Sequence, residues 1–145
     1  MKPYTIGFYG KSNSGKTTLI IKIINYLSKE GLNVASVKVS DKKIGIDKEG
    51  KDTFKHTQAG SNLVVFSTKT ETDFLFNKYM TNYKFINFIS KLKKFDIIII
   101  EGANSEKIKK IRIGNIKKRK NTLFTYDNDF EKLINYIKNE IQWRN

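Results

Sequence analysis

The sequence predicts one three-layer α/β domain over residues 1–145, with a mainly parallel central sheet. Short apolar runs typical of strands alternate with segments whose apolar residues recur every three or four positions, as in amphipathic helices. Residues 97–100 are four consecutive isoleucines. A strand without polar positions is typical of the centre of a parallel sheet, which is covered on both faces. A chain of 145 residues is long enough for one domain with a substantial core.

The first forty residues predict a βαβ unit. Residues 4–9 are an apolar run that ends at Gly10, and residues 19–27 carry apolar side chains at helical spacing. Gly31 follows, a residue type that often ends helices, and residues 34–39 form a second apolar run. This order of strand, loop, helix and strand predicts parallel strands joined by a right-handed crossover.

The rest of the chain continues the alternation. Glycines and aspartates predict a loop over residues 40–51, and a second loop is expected between the third strand and the next helix. The remaining elements are predicted as a short helix at 52–59, a strand at 63–66, a helix at 85–92, the isoleucine strand at 97–101, short strands at 111–113 and 123–126, and a closing helix at 130–141.

Composition limits the classes of function. The formal net charge of +14 raises nucleic acid, anionic membranes and polyphosphate ligands as partners. The charge is mostly lysine scattered along the chain, and no recognition helix or aromatic platform is evident, so nucleic acid is disfavoured. No apolar run approaches the roughly 18–20 residues that span a bilayer. The chain has no cysteine and no secretory signal pattern, so a cytoplasmic location is expected.

The segment from Gly10 to Thr17 matches G-x-x-x-x-G-K-[ST], the phosphate loop (P-loop) of many nucleotide-binding proteins. The glycines permit backbone conformations that direct N–H groups at phosphates, Lys16 supplies a positive charge, and Thr17 offers a hydroxyl to Mg²⁺. A strand precedes the motif and a helix follows it. The sequence therefore predicts a P-loop NTPase fold, with nucleotide-binding residues Gly10, Ser12, Asn13, Ser14, Gly15, Lys16, Thr17 and Thr18.

Two acidic residues are candidates for catalysis. Glu101 ends the isoleucine strand, where we expect it to lie at the same sheet edge as the phosphate loop and to hold or orient water near a metal. Asp47 lies in the loop after the second strand, a place where P-loop proteins often close over the terminal phosphate. Together with Thr17, these two residues form the predicted Mg²⁺ site.

Three segments resemble the molybdopterin-guanine dinucleotide biosynthesis protein B family, small GTP-binding P-loop proteins that assist attachment of a guanine nucleotide to the molybdenum cofactor. They are Gly10 to Leu19; Val37-Lys38 with Ile46-Asp47-Lys48-Glu49-Gly50-Lys51-Asp52-Thr53 and His56-Thr57-Gln58-Ala59-Gly60; and Ile98-Ile99-Ile100-Glu101-Gly102. The second is the specific one, because many unrelated enzymes share the phosphate loop.

The resemblance implies functional roles and partners. Lys38, Asp47, Lys51 and Asp52 would belong to the nucleotide or switch region, and Glu101 to the Mg²⁺ side. GTP would be the ligand, hydrolysed slowly. The partners would be a second copy of the chain in a homodimer, a molybdenum cofactor guanylyltransferase and the molybdopterin itself. Ser40 to Lys43 stand where the family usually has histidines, and Glu49 where it usually has proline.

Three questions stay open at the level of sequence. Asp127, near the end of the last strand, is a candidate to bind the guanine edge. The basic segment between Glu106 and Lys120 could receive the phosphate of a pterin or the acidic face of a partner enzyme, or could be a solvated hairpin. The alternative functions are a small-molecule kinase, which the three arginines of the chain disfavour because none lies in a recognisable lid, and a dimeric ATPase with Lys11 as a second loop lysine.

Overall fold

The computed structural model describes residues 2–143, and these form seven strands and four helices. The strands are β1 (Tyr4–Gly10), β2 (Val34–Lys38), β3 (Leu63–Ser67), β4 (Thr72–Phe76), β5 (Ile97–Glu101), β6 (Lys110–Ile113) and β7 (Thr122–Thr125). The helices are α1 (Lys16–Lys29), α2 (Asp52–Gln58), α3 (Asn82–Leu92) and α4 (Phe130–Gln142). Each predicted helix and strand is present near its expected position, and β4 is an addition. In the described part of the chain, every helix is too short or too polar to cross a bilayer.

The chain forms two compact units. The first comprises the described residues up to Ser40 together with those from Lys84 onward, and the second is Asp41–Tyr83. The first unit contains a five-stranded sheet in the order β2-β5-β1-β6-β7, in which all neighbouring strands run parallel. Their carboxyl ends therefore meet at one side of the sheet, which we call the carboxyl edge. The interpretation of the whole chain as a single domain stays a prediction.

Side chains of β5 alternate between the cores on the two faces of this sheet. Ile97 and Ile99 belong to a core with α1 and α4, whereas Ile98 and Ile100 belong to a second core packed by apolar residues of α3. All four isoleucines are inaccessible to solvent, which explains why this strand has no polar position. In the first unit, α1 with α4, the sheet, and α3 thus make three layers, and the predicted α/β architecture is confirmed.

Two connections of the first unit lack a helix. Residues 102–109, the first crossover, lead from β5 to β6, and residues 114–121, the second crossover, lead from β6 to β7. All three strands run parallel to β1. Parallel strands are usually joined by about a dozen residues or more, most often with a helix. These shorter crossovers must therefore be held on the sheet by other contacts.

The second unit is built from α2 and a β-hairpin. β3 is not part of the central sheet; it pairs with β4 in antiparallel register, with Leu63 opposite Phe76. The hairpin turn is closed by Thr68, whose Oγ1 accepts hydrogen bonds from the backbone N–H groups of Thr70 (3.2 Å) and Glu71 (3.1 Å). We expected a loop after residue 66, since a five-residue strand beside a turn carries little periodic signal.

Candidate functional site

The two glycines of the phosphate loop are needed for different physical reasons. A Cβ atom on Gly10 would lie 2.5 Å from the backbone oxygen of Ile113 and 2.8 Å from Ser14 Oγ, so a larger residue would collide with the neighbouring strand and the loop. Gly15 has open space around it but a φ of +83°, a conformation that L side chains rarely adopt. Asn13 also has a positive φ of 58°. The loop therefore takes the unusual backbone path that the motif predicts.

Lys16 lies over this loop. Its ammonium group donates hydrogen bonds to the backbone oxygens of Gly10 (3.1 Å) and Lys11, and to Ser14 Oγ (3.3 Å). α1 begins at Lys16, and its N-cap residue Gly15 provides no side-chain cap. The first N–H groups of α1 and the Lys16 charge are thus directed to the same place, which is the arrangement that binds phosphate at a helix N-terminus.

Thr17 and Glu101 come together at the carboxyl edge. Thr17 Oγ1 donates a hydrogen bond of 2.8 Å to Glu101 Oε1, and Lys38 Nζ lies 3.7 Å from the same oxygen. The register explains the Lys38 contact, because Lys38 pairs with Glu101 across β2 and β5. The Glu101 side chain is 14% exposed and that of Lys38 is 70% exposed. A hydroxyl and a carboxylate, 84 positions apart in sequence, thus form one polar cluster beside the phosphate loop.

The oxygen set of this cluster fits Mg²⁺. Magnesium prefers oxygen ligands, uses one or two carboxylates, and takes the rest from water and substrate phosphates. Within residues 2–143 no group of three or more His, Cys, Asp or Glu side chains is able to hold a metal alone, so phosphate oxygens would have to complete the coordination of any cation here. Thr17 and Glu101 are the residues that would hold it.

Gly102 holds Glu101 in position. A Cβ atom on Gly102 would lie 2.5 Å from the backbone oxygen of Val39, and its φ is +80°. The Gly102 N–H donates to the oxygen of Phe8 (2.8 Å), and the Val39 N–H donates to the oxygen of Glu101 (2.9 Å). The end of β5 is therefore packed tightly between the ends of β1 and β2. The sequence motif Glu101-Gly102 pairs the candidate carboxylate with the glycine that this packing requires.

Asp47 and Lys51 lie in the second unit. Asp47 Oδ1 accepts hydrogen bonds from Lys48 N (3.0 Å) and Thr53 Oγ1 (2.9 Å), and its Oδ2 is buried with no hydrogen-bond partner among the described residues. Both residues line a cavity of about 480 Å³, with Ile46, Asp52, Thr53, Phe66, Asp73 and Leu75. The structure thus brings Asp47, Lys51 and Asp52 together, and their roles toward nucleotide or metal stay predictions.

Asp127 follows β7 and is engaged at both carboxylate oxygens. Oδ2 forms an ion pair of 2.8 Å with Lys132, and Oδ1 accepts a hydrogen bond of 3.3 Å from the backbone of Asp129. The Lys132 ammonium, followed by the Asp129 N–H, lowers the pKa of the Asp127 carboxyl below its usual value. Asp127 is therefore ionised near neutral pH. Exposed ion pairs contribute little to stability, so a base edge could replace Lys132 at small cost.

Sequence reasoning did not single out the tertiary roles of three residues on the other face of the sheet. Lys110 is completely buried, Arg119 stacks over the ring of Tyr9 at 4.8 Å from its centroid, and the Tyr9 hydroxyl contacts Thr122 Oγ1 at 2.6 Å. The sequence alone indicates Lys110 and Arg119 only as members of a basic segment. The position of Lys110 directly before the predicted strand residues Ile111-Arg112-Ile113 could have indicated that it lies in the sheet.

A family model and several curated proteins are similar to this chain. The model of molybdopterin guanine dinucleotide synthesis protein B (MobB) matches residues 5–139. The molybdopterin-guanine dinucleotide biosynthesis adapter protein of Haemophilus influenzae is 34% identical over 112 residues, covering 73% of this chain and 60% of the relative. That of Escherichia coli is 29% identical over 112 residues, covering 73% and 62%. A relative from Methanocaldococcus jannaschii is 33% identical over 113 residues, covering 77% and 45%. The chain thus spans about half to three fifths of these relatives.

Solved structures share the fold. The crystal structure of Bacillus subtilis MobB superposes with a TM-score of 0.73 at 18% identity, covering 94% of this chain and 97% of that one. A MobB homolog from Bacillus stearothermophilus gives a TM-score of 0.60 at 15% identity, covering 95% and 97%. At these identities the likeness shows the fold alone.

Proposed function

Because this chain belongs to the molybdopterin guanine dinucleotide synthesis protein B (MobB) family, we propose that it is a GTP-binding accessory protein in molybdopterin guanine dinucleotide biosynthesis, with slow Mg²⁺-dependent GTP hydrolysis. The observation that carries the nucleotide-binding part is the phosphate loop beside the Thr17–Glu101 pair. The adapter part is supported by the names of the curated relatives from Haemophilus influenzae and Escherichia coli.

The contacts of Lys16 support phosphate binding. Its ammonium now donates to two backbone oxygens of the loop and to Ser14 Oγ. A phosphate group offers negatively charged oxygens to the same ammonium, and this adds a Coulomb attraction that the neutral oxygens of the loop do not provide. We therefore expect Lys16 to turn from the loop to the β- and γ-phosphates when nucleotide binds, while the N-terminus of α1 stabilises the anion.

Thr17, Glu101 and Lys38 provide the metal side of the proposed site. A bound Mg²⁺ would neutralise charge on the phosphates during their transfer to water. The Thr17 hydroxyl and the Glu101 carboxylate would hold that ion or a water molecule bound to it, and their mutual hydrogen bond of 2.8 Å supports this assignment. Lys38 balances the charge of Glu101 at 3.7 Å. Asp47 is proposed as a second acidic residue for catalysis and metal binding, on the basis of its position in the sequence.

The preference for GTP depends on the family. Asp127 supports it, because a carboxylate at the carboxyl edge of β7 can accept the two N–H groups of a guanine edge, and adenine lacks that pair of donors. The proposed assembly is a homodimer that works with a molybdenum cofactor guanylyltransferase in the cytoplasm and contacts molybdopterin. The accessory role would leave the nucleotidyl transfer itself to the partner enzyme.

A nucleotide titration tests this proposal. With Mg²⁺ present, we expect GTP to bind more tightly than ATP, with slow release of phosphate. Lys16→Ala removes the ammonium that meets the phosphates, so affinity should fall about 10- to 100-fold, the usual value of one or more charge-assisted hydrogen bonds. Lys29→Ala, at the other end of the same helix, is the matched control and should bind as the unmodified chain does. Unchanged binding by Lys16→Ala would refute the proposed site.

A further inference from the structure

A basic cleft lies between the two crossovers of the first unit. The first runs over the sheet on the face opposite α1 and α4, because a Cβ atom on Gly7 would meet Ala103 and Ile108 there. The second reaches the same face at Arg119, which lies over the ring of Tyr9. Residues from both crossovers line a cavity of about 560 Å³: Asn104, Glu106, Ile116, Lys117, Lys118, Arg119 and Lys120. None of these lining residues belongs to the phosphate loop, so the cleft is a separate cavity.

Lys110 holds the first crossover on the sheet through hydrogen bonds from its buried ammonium group. Its ammonium donates hydrogen bonds of 2.6 Å to the backbone oxygen of Ser105 and 2.8 Å to that of Ile108, and the residue is completely buried. A Cβ atom on Gly7 would lie 2.3 Å from Ala103 Cβ, so the crossover packs directly on β1. Burial, followed by repulsion from Arg119, lowers the pKa of Lys110 below its usual value. A cation buried here adds positive potential beneath the cleft.

Arg119 fixes the second crossover to the first. Its backbone N–H donates to the Tyr9 hydroxyl (3.0 Å), its guanidinium lies 4.8 Å above the Tyr9 ring, and Nη1 donates to the backbone oxygen of Ala103 (2.8 Å). This last bond uses one of five N–H donors on the guanidinium. Asn121 adds a further link, as its side chain donates to the oxygen of Glu106 (2.8 Å). Arg119 is thus held in one geometry, and it and Asn121 link the two crossovers.

The charges of the cleft are only partly balanced. Lys120 forms an ion pair of 2.9 Å with Glu106. The ammonium groups of Lys117 and Lys118 have no acidic or hydrogen-bonding partner within residues 2–143. Four cations and one carboxylate leave the lining with a charge of +3. A solvated lysine run would not need Lys110 and Arg119 to hold its backbone in place, because its flexible side chains could reduce their mutual repulsion by moving apart.

We propose that this cleft binds the phosphate group of a small phosphate monoester, or free phosphate. All four cationic residues are exposed, and Arg119 is held by its contacts with Ala103 and Tyr9 while keeping further N–H donors. The volume of about 560 Å³ lies within the range of about 300–1,000 Å³ that is typical of small-molecule sites. The proposal concerns a second anion site and does not depend on what the phosphate loop binds.

The cleft does not fit single-stranded nucleic acid. Such ligands stack their bases on exposed aromatic rings. The lining residues of the cleft include no aromatic side chain. The Tyr9 ring, over which Arg119 lies, is 1% exposed. A single phosphate group is therefore the better match to this set of donors.

The test is a titration followed by NMR, using the full chain with Lys16→Ala so that binding at the phosphate loop is weakened. The probes are inorganic phosphate and phenyl phosphate. We expect backbone amide signals of residues 116–120 to shift with saturation for at least one probe, and tighter binding of phenyl phosphate would identify the monoester as the ligand class. Shifts confined to residues 10–18 would overturn the proposal. The amide signals of residues 116–120 test phosphate binding by the cleft even if the phosphate loop does not bind nucleotide.

Three variants sharpen the test. Lys117→Ala with Lys118→Ala should weaken phosphate binding about tenfold or more, since two charge-assisted contacts are lost. Lys91→Ala with Lys93→Ala removes the same charge from exposed positions at the end of α3 and should change affinity less than about twofold. Glu106→Gln releases Lys120 and should tighten binding about two- to fivefold. Equal weakening by both double variants, or shifts of residues 116–120 only with an acidic peptide, would refute a phosphate site.

Discussion

At the scale of single residues, the site depends on glycines as much as on charged groups. Gly10 and Gly102 each lie where a Cβ atom would come within 2.5 Å of a backbone oxygen. These two residues border the phosphate loop and Glu101. Thr17 and Lys38 then share one oxygen of Glu101. Close backbone packing therefore sets the position of the Glu101 carboxylate. Thr17 and Lys38 are its hydrogen-bonding and charged neighbours.

Gly102→Ala tests this packing. The alanine would add strain at a positive φ, about 1–2 kcal/mol, and a clash with Val39, about 1–3 kcal/mol. Gly31→Ala is the matched control, because Gly31 has a φ of +81° and open space; it should lose only the strain. Urea unfolding followed by circular dichroism measures both. Equal losses in the two variants would show that the backbone of Val39 moves away at no cost.

Glu101→Gln tests the metal side of the site. The amide keeps the size of the side chain and can still accept the Thr17 hydrogen bond, but it carries no charge for Mg²⁺. We expect GTP affinity without Mg²⁺ to change little, while the gain in affinity on adding Mg²⁺ falls about tenfold. Calorimetric titrations with and without EDTA give both values. An undiminished Mg²⁺ effect would remove Glu101 from the metal site.

At the level of helices and strands, the N-termini of α1 and α4 differ in whether a side chain caps them. Asp129 caps α4 by accepting a hydrogen bond of 3.0 Å from the backbone N–H of Lys132. Gly15 leaves the first turn of α1 without a side-chain cap. Unpaired N–H groups at a helix N-terminus are unfavourable unless water or a ligand accepts them. This difference is expected if α1 reserves its N–H groups for phosphate and α4 has only a structural role.

Asp129→Ala should lower the free energy of unfolding by about 1 kcal/mol, the usual contribution of an N-cap. Asp129→Asn keeps an acceptor oxygen at the same position and should lose much less. Thermal melts of the three proteins at pH 7 provide the comparison. A larger loss in the asparagine variant than in the alanine variant would contradict a capping role.

At the scale of the whole molecule, the two units differ in how much apolar surface they bury. The described core consists almost entirely of residues from the first unit, whereas Val64 is the one buried apolar side chain that the structure describes within Asp41–Tyr83. Burial of apolar surface is the main favourable contribution to stability. The second unit therefore belongs to the less stable part of the molecule, as is typical of segments that respond to ligands.

Hydrogen exchange tests this difference. Hydrogen-bonded amides of β3 and β4 should exchange at least about tenfold faster than those of β1 and β5, because a local opening exposes little apolar surface. Mass spectrometry of peptides from the two units gives the rates. Equal protection in all four strands would indicate a single cooperative unit, and would support the interpretation of the chain as one domain.

Local chemistry made much of the protein predictable. The phosphate loop, the helices and β5 depend on neighbouring residues, so spacing alone indicated them. Strand order and direction then placed Glu101 at the same edge as the loop. Short elements were harder to predict from the sequence. β4 has only five residues, and its pairing with β3 depends on contacts across a turn.

The α/β class, the phosphate loop and the place of Glu101 beside it are predictable from the residues alone, because they follow from local periodicity and from the rule that parallel strands end at one edge. The folded molecule is needed to show which lysine of the basic segment is buried and which lysines face solvent. Lys110 and Lys117 are the same residue type, yet Lys110 is enclosed beneath a crossover and Lys117 is exposed in a cleft. That difference arises from packing between segments distant in sequence, which no local pattern contains.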